Sequence, residues 1–459
     1  MVHSFEINST KIVLDSNSGA VSLLDDISFA ILQALGDKAP TEGEIPPAVS
    51  EATASFPAAS VEEAYGELLA LKKEGVLFAD DPYADIAATR PQNESVIKAM
   101  CLHIAHDCNL RCRYCFAETG SYDGPRGLMS AEVGKKAIDY LIKASGHRRN
   151  LEVDFFGGEP LLNFEVVKEI VRYARGREAE SGKNFRFTIT TNGLLLDEAK
   201  KEFINAEMVN IVLSIDGRKS VNDTMRCRVD GSGSYDTIVG RFQDMAESRN
   251  QDNYYVRGTF TRYNLDFSKD VLHLADLGFK QISVEPVVSS PEADYMISED
   301  DLPVLFEQYE ALAAEYVRRK QEGCGFNFFH FMVDLSGGPC ILKRLSGCGA
   351  GHEYVAVSPD GDIYPCHQFV GDETMKMGTV LEDGINTDIS NFFRSSNVYT
   401  KPSCKDCFAK FYCSGGCPAN AIQYGGGINN PLPLSCALMR KRVECALYCT
   451  IMTGEKEED

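Results

Sequence analysis

Three cysteines within one short stretch, Cys108, Cys112 and Cys115, give the sharpest chemical signal in the chain. Their spacing is C-x3-C-x2-C, and they follow an apolar run, Met100–Ala105, that reads as a strand. Zinc in structural sites takes four closed protein ligands, and no fourth donor stands at a suitable spacing here. Three thiolates can instead hold three irons of a 4Fe–4S cluster and leave the fourth iron open to an external ligand. A zinc knuckle and a set of buried free thiols are the blander readings of the same triplet. The chain has 16 cysteines, and most of the others crowd beyond Cys340. In a reducing compartment, clusters at short spacings point to metal or iron–sulfur ligation rather than disulfides.

The later cysteines run Cys348, then Gly361 and Cys366, then Cys404-x2-Cys407-x5-Cys413-x3-Cys417, and finally Cys436. Spacing alone leaves a pair of zinc sites open for them. Cys340, shortly before Cys348, either completes a site or is free. Cys445 and Cys449 share a helical pattern with Val443, Leu447 and Ile451, which reads as buried structural thiols. Cys101, Cys227 and Cys324 have no partner at ligand spacing and read as core or surface residues.

The elements that must position these groups repeat as strand then helix. Strands are expected at Met100–Ala105, Leu151–Phe156, Phe185–Thr190, Val209–Ile215, Tyr254–Thr261 and Gln281–Pro286, with amphipathic helices between them. Six such repeats predict an α/β fold, a partial, open (β/α)6 TIM-like barrel over 98–325, with ligand chemistry at the C-terminal strand ends. Several chemically useful residues fall there: Gly157-Gly158-Glu159-Pro160 after the second strand, Thr191-Asn192-Gly193 after the third and Ser214-Ile215-Asp216-Gly217 after the fourth. Arg226 follows Ser214, and Glu285 closes the sixth strand. Each is weak alone; their shared position after successive strands is what gives them weight.

Residues 1–80 read as a separate small α/β module. Strands are expected at Phe5–Ile7, Lys11–Leu14 and Ala20–Leu23, a helix with Asp26 as its cap, and another opening on a capping-box pattern at Ser60. With a closing strand at Val76–Phe78 the module suits a winged-helix-like fold, and the polar 81–97 reads as a linker. The segment 326–450, rich in Gly, Pro and Cys, is expected to be held by metal sites rather than by a conventional core. Residues 451–459 read as an acidic tail.

The 459 residues carry 46 Lys and Arg against 67 Asp and Glu, a net charge of −21, which argues against a nucleic-acid or anionic-membrane partner. No stretch approaches the roughly 20 apolar residues of a membrane span, and the start lacks a signal-peptide layout, so a cytoplasmic protein is expected.

The triplet, with Tyr114 as its aromatic residue, resembles the radical S-adenosylmethionine (SAM) enzymes and their C-x3-C-x-aromatic-C motif. The resemblance implies that Cys108, Cys112 and Cys115 hold a catalytic 4Fe–4S cluster whose open iron chelates SAM, and that an electron cleaves SAM to a 5′-deoxyadenosyl radical. It further implies that Gly157, Gly158 and Glu159 serve the methionine amino group and Arg226 its carboxylate, with Tyr114, Asn192, Ser214 and Glu285 at the same mouth. The later cysteines resemble the SPASM pattern of peptide-modifying radical enzymes. That implies two auxiliary 4Fe–4S clusters, one on Cys348, Cys366 and Cys417, with Cys340 as a candidate fourth ligand, and one on Cys404, Cys407, Cys413 and Cys436.

Across the whole chain the similarity is to the maturases of SCIFF peptides (six cysteines in forty-five residues). It is carried by Val2-His3-Ser4-Phe5-Glu6-Ile7-Asn8, by Ser346-Gly347-Cys348-Gly349-Ala350-Gly351 and by Tyr364-Pro365-Cys366-His367-Gln368-Phe369. The implied reaction joins a cysteine sulfur to carbon in a thioether, with a Cys-rich precursor peptide whose leader docks on the N-terminal module as an added strand. A small redox donor such as flavodoxin or ferredoxin is implied as a further partner. Sulfatase maturases share the barrel and auxiliary clusters but place an acidic base where this chain has His367, and lack the leader module. Maturation of another peptide, by carbon–carbon crosslinking or on a quinone-cofactor precursor, and a non-catalytic zinc-dependent peptide binder are the remaining alternatives.

Overall fold

The computed structural model describes residues 1–85, 96–122, 124–333, 335, 341–382 and 384–454. At the N-terminus, β1 (Val2–Ile7), β2 (Thr10–Asp15) and β3 (Val21–Leu23) form an antiparallel sheet in that order. Strand alternation gives this sheet two buried faces. Val13 packs with Ile31, Leu32, Val61, Tyr65 and Leu68 of the module's own helices, Asp26–Leu35 and Ala58–Lys73. Phe5, Ile7, Ile12 and Leu14 point the other way, into the main core of the protein. The module is therefore a layer of the molecule and not an appendage.

Three local expectations are corrected here. The first helix is capped by Asp25, which accepts from Ser28 N at 2.7 Å, because the Asp26 carboxylate is drawn to Lys11 Nζ at 2.7 Å. The helix Ala58–Lys73 starts after Pro57, ahead of Ser60, with no side-chain cap. Val76–Phe78 forms no strand: the N–H groups of Val76 and Leu77 both return to Leu71 O (2.9 and 3.2 Å) as a helix-ending turn. A short helix at Pro47–Ala52 was not foreseen.

The six expected barrel strands all form, as β4 (Ala99–His106), β6 (Asn150–Gly157), β7 (Asn184–Thr191), β8 (Met208–Ser214), β9 (Tyr254–Phe260) and β10 (Gln281–Pro286). They pair in parallel in this order, and β5 (Gly127–Leu128) adds to β4 in antiparallel fashion. β11 (Asn327–Phe328) extends the sheet beyond β10. On the other edge β12 (Tyr354–Val357) pairs in parallel with β4, bringing β13 (Asp362–Tyr364) and β14 (Gly378–Thr379) with it.

That last pairing corrects the expectation that the C-terminal segment lacks a conventional core. Val355, Val357 and Ile363 lie in the same core as the barrel, as do Leu438, Val443 and Leu447 of the helix Pro433–Thr453. This helix packs along Leu302–Gln321, and Cys449 Sγ lies 3.8 Å from Ala313 O, so Cys445 and Cys449 are buried in the seam. The helix runs to Thr453 before Gly454 ends it, so the first residues expected in the tail are helical. Residues 455–459, most of the expected linker (86–95) and Cys340 lie outside the described residues. Among the described residues no helix is long and apolar enough to cross a membrane.

Candidate functional site

β4 ends at His106, and the cysteine triplet begins two residues later on the loop that leaves the sheet. This loop is sewn to the segment after β8. Arg111 N donates to Cys227 O at 2.7 Å, Arg113 N to Met225 O at 2.9 Å, and Cys227 Sγ lies 3.1 Å from Arg111 O. Arg226 is thereby carried under the triplet. Burial raises Cys112 to about 12, against the Arg226 charge, with Cys115 and Cys108 adding to the rise. Cys108 is likewise pushed to about 11, first by burial and then by Glu159. Thiols with such values bind iron only by exchanging their protons for the metal charge, which a cluster site provides. Two N–H donors already face Cys108 Sγ, from Leu110 N at 3.4 Å and Asn192 Nδ2 at 3.6 Å. Such N–H···S contacts favour the thiolate, so the donor set fits an iron–sulfur cluster.

Gly157 and Gly158 have a structural cause that spacing did not reveal. A Cβ on Gly157 would stand 2.3 Å from Ala105 O, and one on Gly158 2.0 Å from Asp107 O. The close approach is to the backbone of β4 and its exit, which Gly158 N and Glu159 N hydrogen-bond at 2.7 and 2.9 Å. Glu159 is buried and accepts from Leu161 N (3.0 Å), Thr191 Oγ1 (2.8 Å) and Asn192 N (2.8 Å). Burial nonetheless lifts its carboxyl to about 7. It orients the turn after β7, and through it Asn192, whose amide bonds Asn109 Oδ1 at 2.7 Å. Ser214 closes β8 beside this mouth.

Tyr114 and Arg226 meet around Asp216, which the sequence placed after the fourth strand without a role of its own. Tyr114 Oη donates to the Asp216 carboxylate (2.7 and 2.8 Å) and accepts from Arg226 NH1 at 2.9 Å. Asp216 also takes Thr259 N at 3.0 Å and lies 3.8 Å from Arg226 NH1. The motif tyrosine is thus fixed by an ion pair rather than by packing alone. Among the described residues Arg226 Nε is buried without a partner, an orphan donor that a ligand carboxylate would satisfy.

The remaining cysteines stand in two groups. Cys366 is raised to about 12 by burial, with Cys417 and Cys348 adding to it. Cys436 is raised to about 11 by burial and then by Cys413, Cys404 and Cys407. Backbone N–H groups after Cys366, Cys413 and Cys417 face their sulfurs and pull the other way, toward the thiolate. Lys401 is a residue the sequence did not signal. It is buried, donates to Gly415 O at 2.7 Å, and faces Cys404, Cys413, Cys417 and Cys436 from between the two groups. Among the described residues no three His, Cys, Asp or Glu side chains converge closely enough to hold a single metal ion.

The triplet loop meets the Cys366 loop over the barrel. Phe116, directly after Cys115, approaches His367, directly after Cys366, with ring centroids 5.5 Å apart, and Phe156 lies 5.4 Å from the same imidazole. Tyr354 Oη bonds His367 Nδ1 at 3.0 Å. Glu285 also faces the lumen, but its carboxylate is engaged by Arg442 NH1 at 3.2 Å and lies 3.5 Å from His330 Nε2. Deeper down, burial and then the charge of Glu152 raise Asp154 from 3.8 to about 6. A carboxyl raised in the fold contributes stability that is complete below its unfolded value and is lost as pH rises through about 6. Asp154→Asn should therefore stabilise the protein at pH 8 by about 3 kcal/mol, at 1.36 kcal/mol per unit, and by less at about pH 5. Thermal melts at the two pH values check this.

Comparison with known proteins agrees with this layout. Residues 102–256 match the radical SAM superfamily, and residues 348–408 match the SPASM iron–sulfur cluster-binding domain. An uncharacterised protein of Methanocaldococcus jannaschii is 31% identical over 191 residues, 41% of this chain and 62% of that protein, so the match spans less than two thirds of the relative. The mycofactocin maturase MftC of Mycolicibacterium smegmatis is 28% identical over 341 residues, covering 72% of this chain and 80% of that one. A cysteine-type anaerobic sulfatase-maturating enzyme of Clostridium novyi is 23% identical over 331 residues, 68% and 86% of the two chains. Among solved structures, native anSMEcpe with bound AdoMet and Kp18Cys peptide superposes with a TM-score of 0.63 at 18% identity, over 78% of this chain and 99% of that one. Streptococcus suis SuiB bound to precursor peptide SuiA gives 0.54 at 16% identity, over 95% and 98%. At those identities the structural likeness concerns the fold.

Proposed function

We propose, on the premise of a chain that carries a radical SAM domain and a SPASM domain and is homologous to peptide and protein maturases, that it forms thioether crosslinks in a Cys-rich precursor peptide. The observation that carries the reading is the contact of Phe116, next to Cys115, with His367, next to Cys366, which sets the two cysteine loops side by side. In this reading Cys108, Cys112 and Cys115 hold the SAM-binding cluster. Cys348, Cys366 and Cys417 hold one auxiliary cluster, and Cys404, Cys407, Cys413 and Cys436 the other. When bound, cluster and SAM supply a 5′-deoxyadenosyl radical that takes hydrogen from carbon.

The chain's own residues bind and orient. Arg226, pinned by Tyr114 and Asp216, offers its free Nε to the SAM carboxylate. Glu159 and Asn192 fix the loop that carries that mouth. Lys401 sets a buried positive charge against the two groups of thiolates. Phe116, Phe156 and His367 form an aromatic wall beside the two cysteine loops against which a peptide side chain can pack. The N-terminal module suits leader binding because β3 ends its sheet with Leu23 exposed (58%). A flavodoxin- or ferredoxin-like donor would supply the electron.

The test is anaerobic incubation of the iron-reconstituted enzyme with SAM, a low-potential reductant and a Cys-rich precursor peptide. The expected product has lost one pair of hydrogens and one free thiol per crosslink, read by mass spectrometry with thiol alkylation. A carbon–carbon link with every thiol retained, or a formylglycine, would transfer the assignment to the sister maturases.

A further inference from the structure

Arg257 stands in the lumen with nothing assigned to it. Along β9, Tyr254, Val256, Gly258 and Phe260 are buried, so Tyr255, Arg257 and Thr259 face inward. Register sets Arg257 beside Ser214 of β8 and Ser283 of β10, one step below the Thr259–Glu285 pair. Its backbone accepts from Ile215 N at 2.9 Å, but among the described residues its guanidinium has no hydrogen-bond or ion-pair partner.

The obvious counter-ion is already taken. Glu285 is held by Arg442 at 3.2 Å, and His330, which touches Arg442, is fixed on its other nitrogen by Ser283 Oγ at 3.2 Å. Burial pushes His330 down to about 3, so it is neutral at pH 7. The wall thus has two guanidinium charges, on Arg257 and Arg442, facing one carboxylate, in a chain whose net charge is −21. On its other side Arg257 comes near His367, whose rings and Tyr354 partner supply no anion. The cation therefore sits between the Glu285 wall and the aromatic patch by Cys366, in the space between the two cysteine loops.

The Arg257 side chain is exposed on this inward face, where it is free to reach a ligand, and its planar fork is shaped for a carboxylate. The methionine carboxylate of SAM already has the orphan Nε of Arg226 under the triplet. We propose that Arg257 anchors a carboxylate subsite in the lumen and takes an acidic group of the peptide substrate, an inference that rests on the peptide-maturase reading above. The subsite then sets which residue of the peptide lies beside the reacting carbon, so the enzyme prefers a core segment with an acidic residue close to its cysteine.

The probes are three synthetic peptides: acetyl-Gly-Cys-Gly-Asp-Gly-amide, its Asn counterpart, and the Asn peptide with a free C-terminal acid. Each is titrated into the reconstituted, SAM-loaded full chain. The Asp peptide should bind wild type about tenfold more tightly than the Asn amide. Arg257→Gln should erase the difference and Arg257→Lys should keep part of it. If the free acid gains the advantage and the Asp peptide does not, the subsite takes a chain terminus, and the proposal holds for that source of carboxylate. In wild type alone, the favoured peptide should protect Arg257 from phenylglyoxal in peptide mapping, an arm that does not depend on a variant folding. Equal binding of all three peptides, or an unprotected Arg257, overturns the subsite alone. So does a loss of SAM affinity in Arg257→Gln with the acid–amide preference intact, which would give the carboxylate to SAM. Failure of all three peptides to bind wild type overturns the subsite as well, whereas the peptide-maturase reading falls separately, on the absence of any modified product in the precursor assay above.

Discussion

Replacing Cys108, Cys112 and Cys115 together by Ala should abolish reductive cleavage of SAM while leaving about eight of about twelve iron atoms per chain, four for each remaining cluster. The expectation follows from how separately the three cysteine groups are built. The triplet hangs on the exit of β4 and is tied to residues 225–228, whereas Cys348, Cys366 and Cys417 and the set completed by Cys436 sit on later segments of the chain. No described hydrogen bond links a triplet sulfur to either later group, so the loss should be local. The fold around the triplet should also survive, because Tyr114, Asp216 and Arg226 hold one another without using a cysteine sulfur. Iron and sulfide analysis together with 5′-deoxyadenosine formation checks the result. Cleavage at the parental rate in the triple variant would remove the radical SAM assignment of this site, and loss of all iron would show that the groups are not independent.

The triplet was readable because its chemistry is local: three thiols in eight residues at the end of an apolar strand need no distant partner to be noticed. The barrel strands were readable for the same reason, since runs such as Leu151–Phe156 carry their own alternation. What escaped depends on residues that meet only in space. β12 pairs with β4 by setting Tyr354 beside Ala99, a contact that no local period encodes, and so the C-terminal segment looked as if it lacked a core. Asp216 lay in plain view within Ser-Ile-Asp-Gly, but only the fold brings Tyr114 and Arg226 onto it. Lys401 gave no signal at all, since a lysine beside a proline reads as surface until the loops of two cysteine groups close over it. Arg257 was hidden by the opposite effect: a charged residue inside an apolar strand looks like an outward position, yet in an open barrel the inward face is the polar one.

The N-terminal module invites the expectation that deleting residues 1–80 would cost peptide processing while sparing SAM cleavage, because leader binding raises the local concentration of the core peptide. The packing adds a second and larger consequence. His3 stacks on Phe408 with ring centroids 3.6 Å apart and planes 4° from parallel, and its Nε2 bonds Glu444 at 2.9 Å. Phe408 directly follows Cys407, and Met1, Val2 and His3 wall a cavity of about 280 Å³ that Cys407 also lines. Just past the module Asp81, which the deletion would keep but strip of the module that positions it, accepts from Tyr399 Oη at 2.9 Å and from the buried Lys410 Nζ at 2.8 Å, between Cys407 and Cys413. Both anchors therefore grip the loop that bears three of the four cysteines in the Cys436 group. Phe5, Ile7, Ile12 and Leu14 add their buried face, at about 1.5–3 kcal/mol for each large side chain. The truncated chain should melt well below the parent and lose about four iron atoms per chain, in addition to losing peptide binding. The single variant His3→Ala should show the iron loss in weaker form while keeping the β3 edge intact. Full iron content and an unchanged melting temperature in the truncated protein would refute the bracing role and leave the module as a leader-binding element alone.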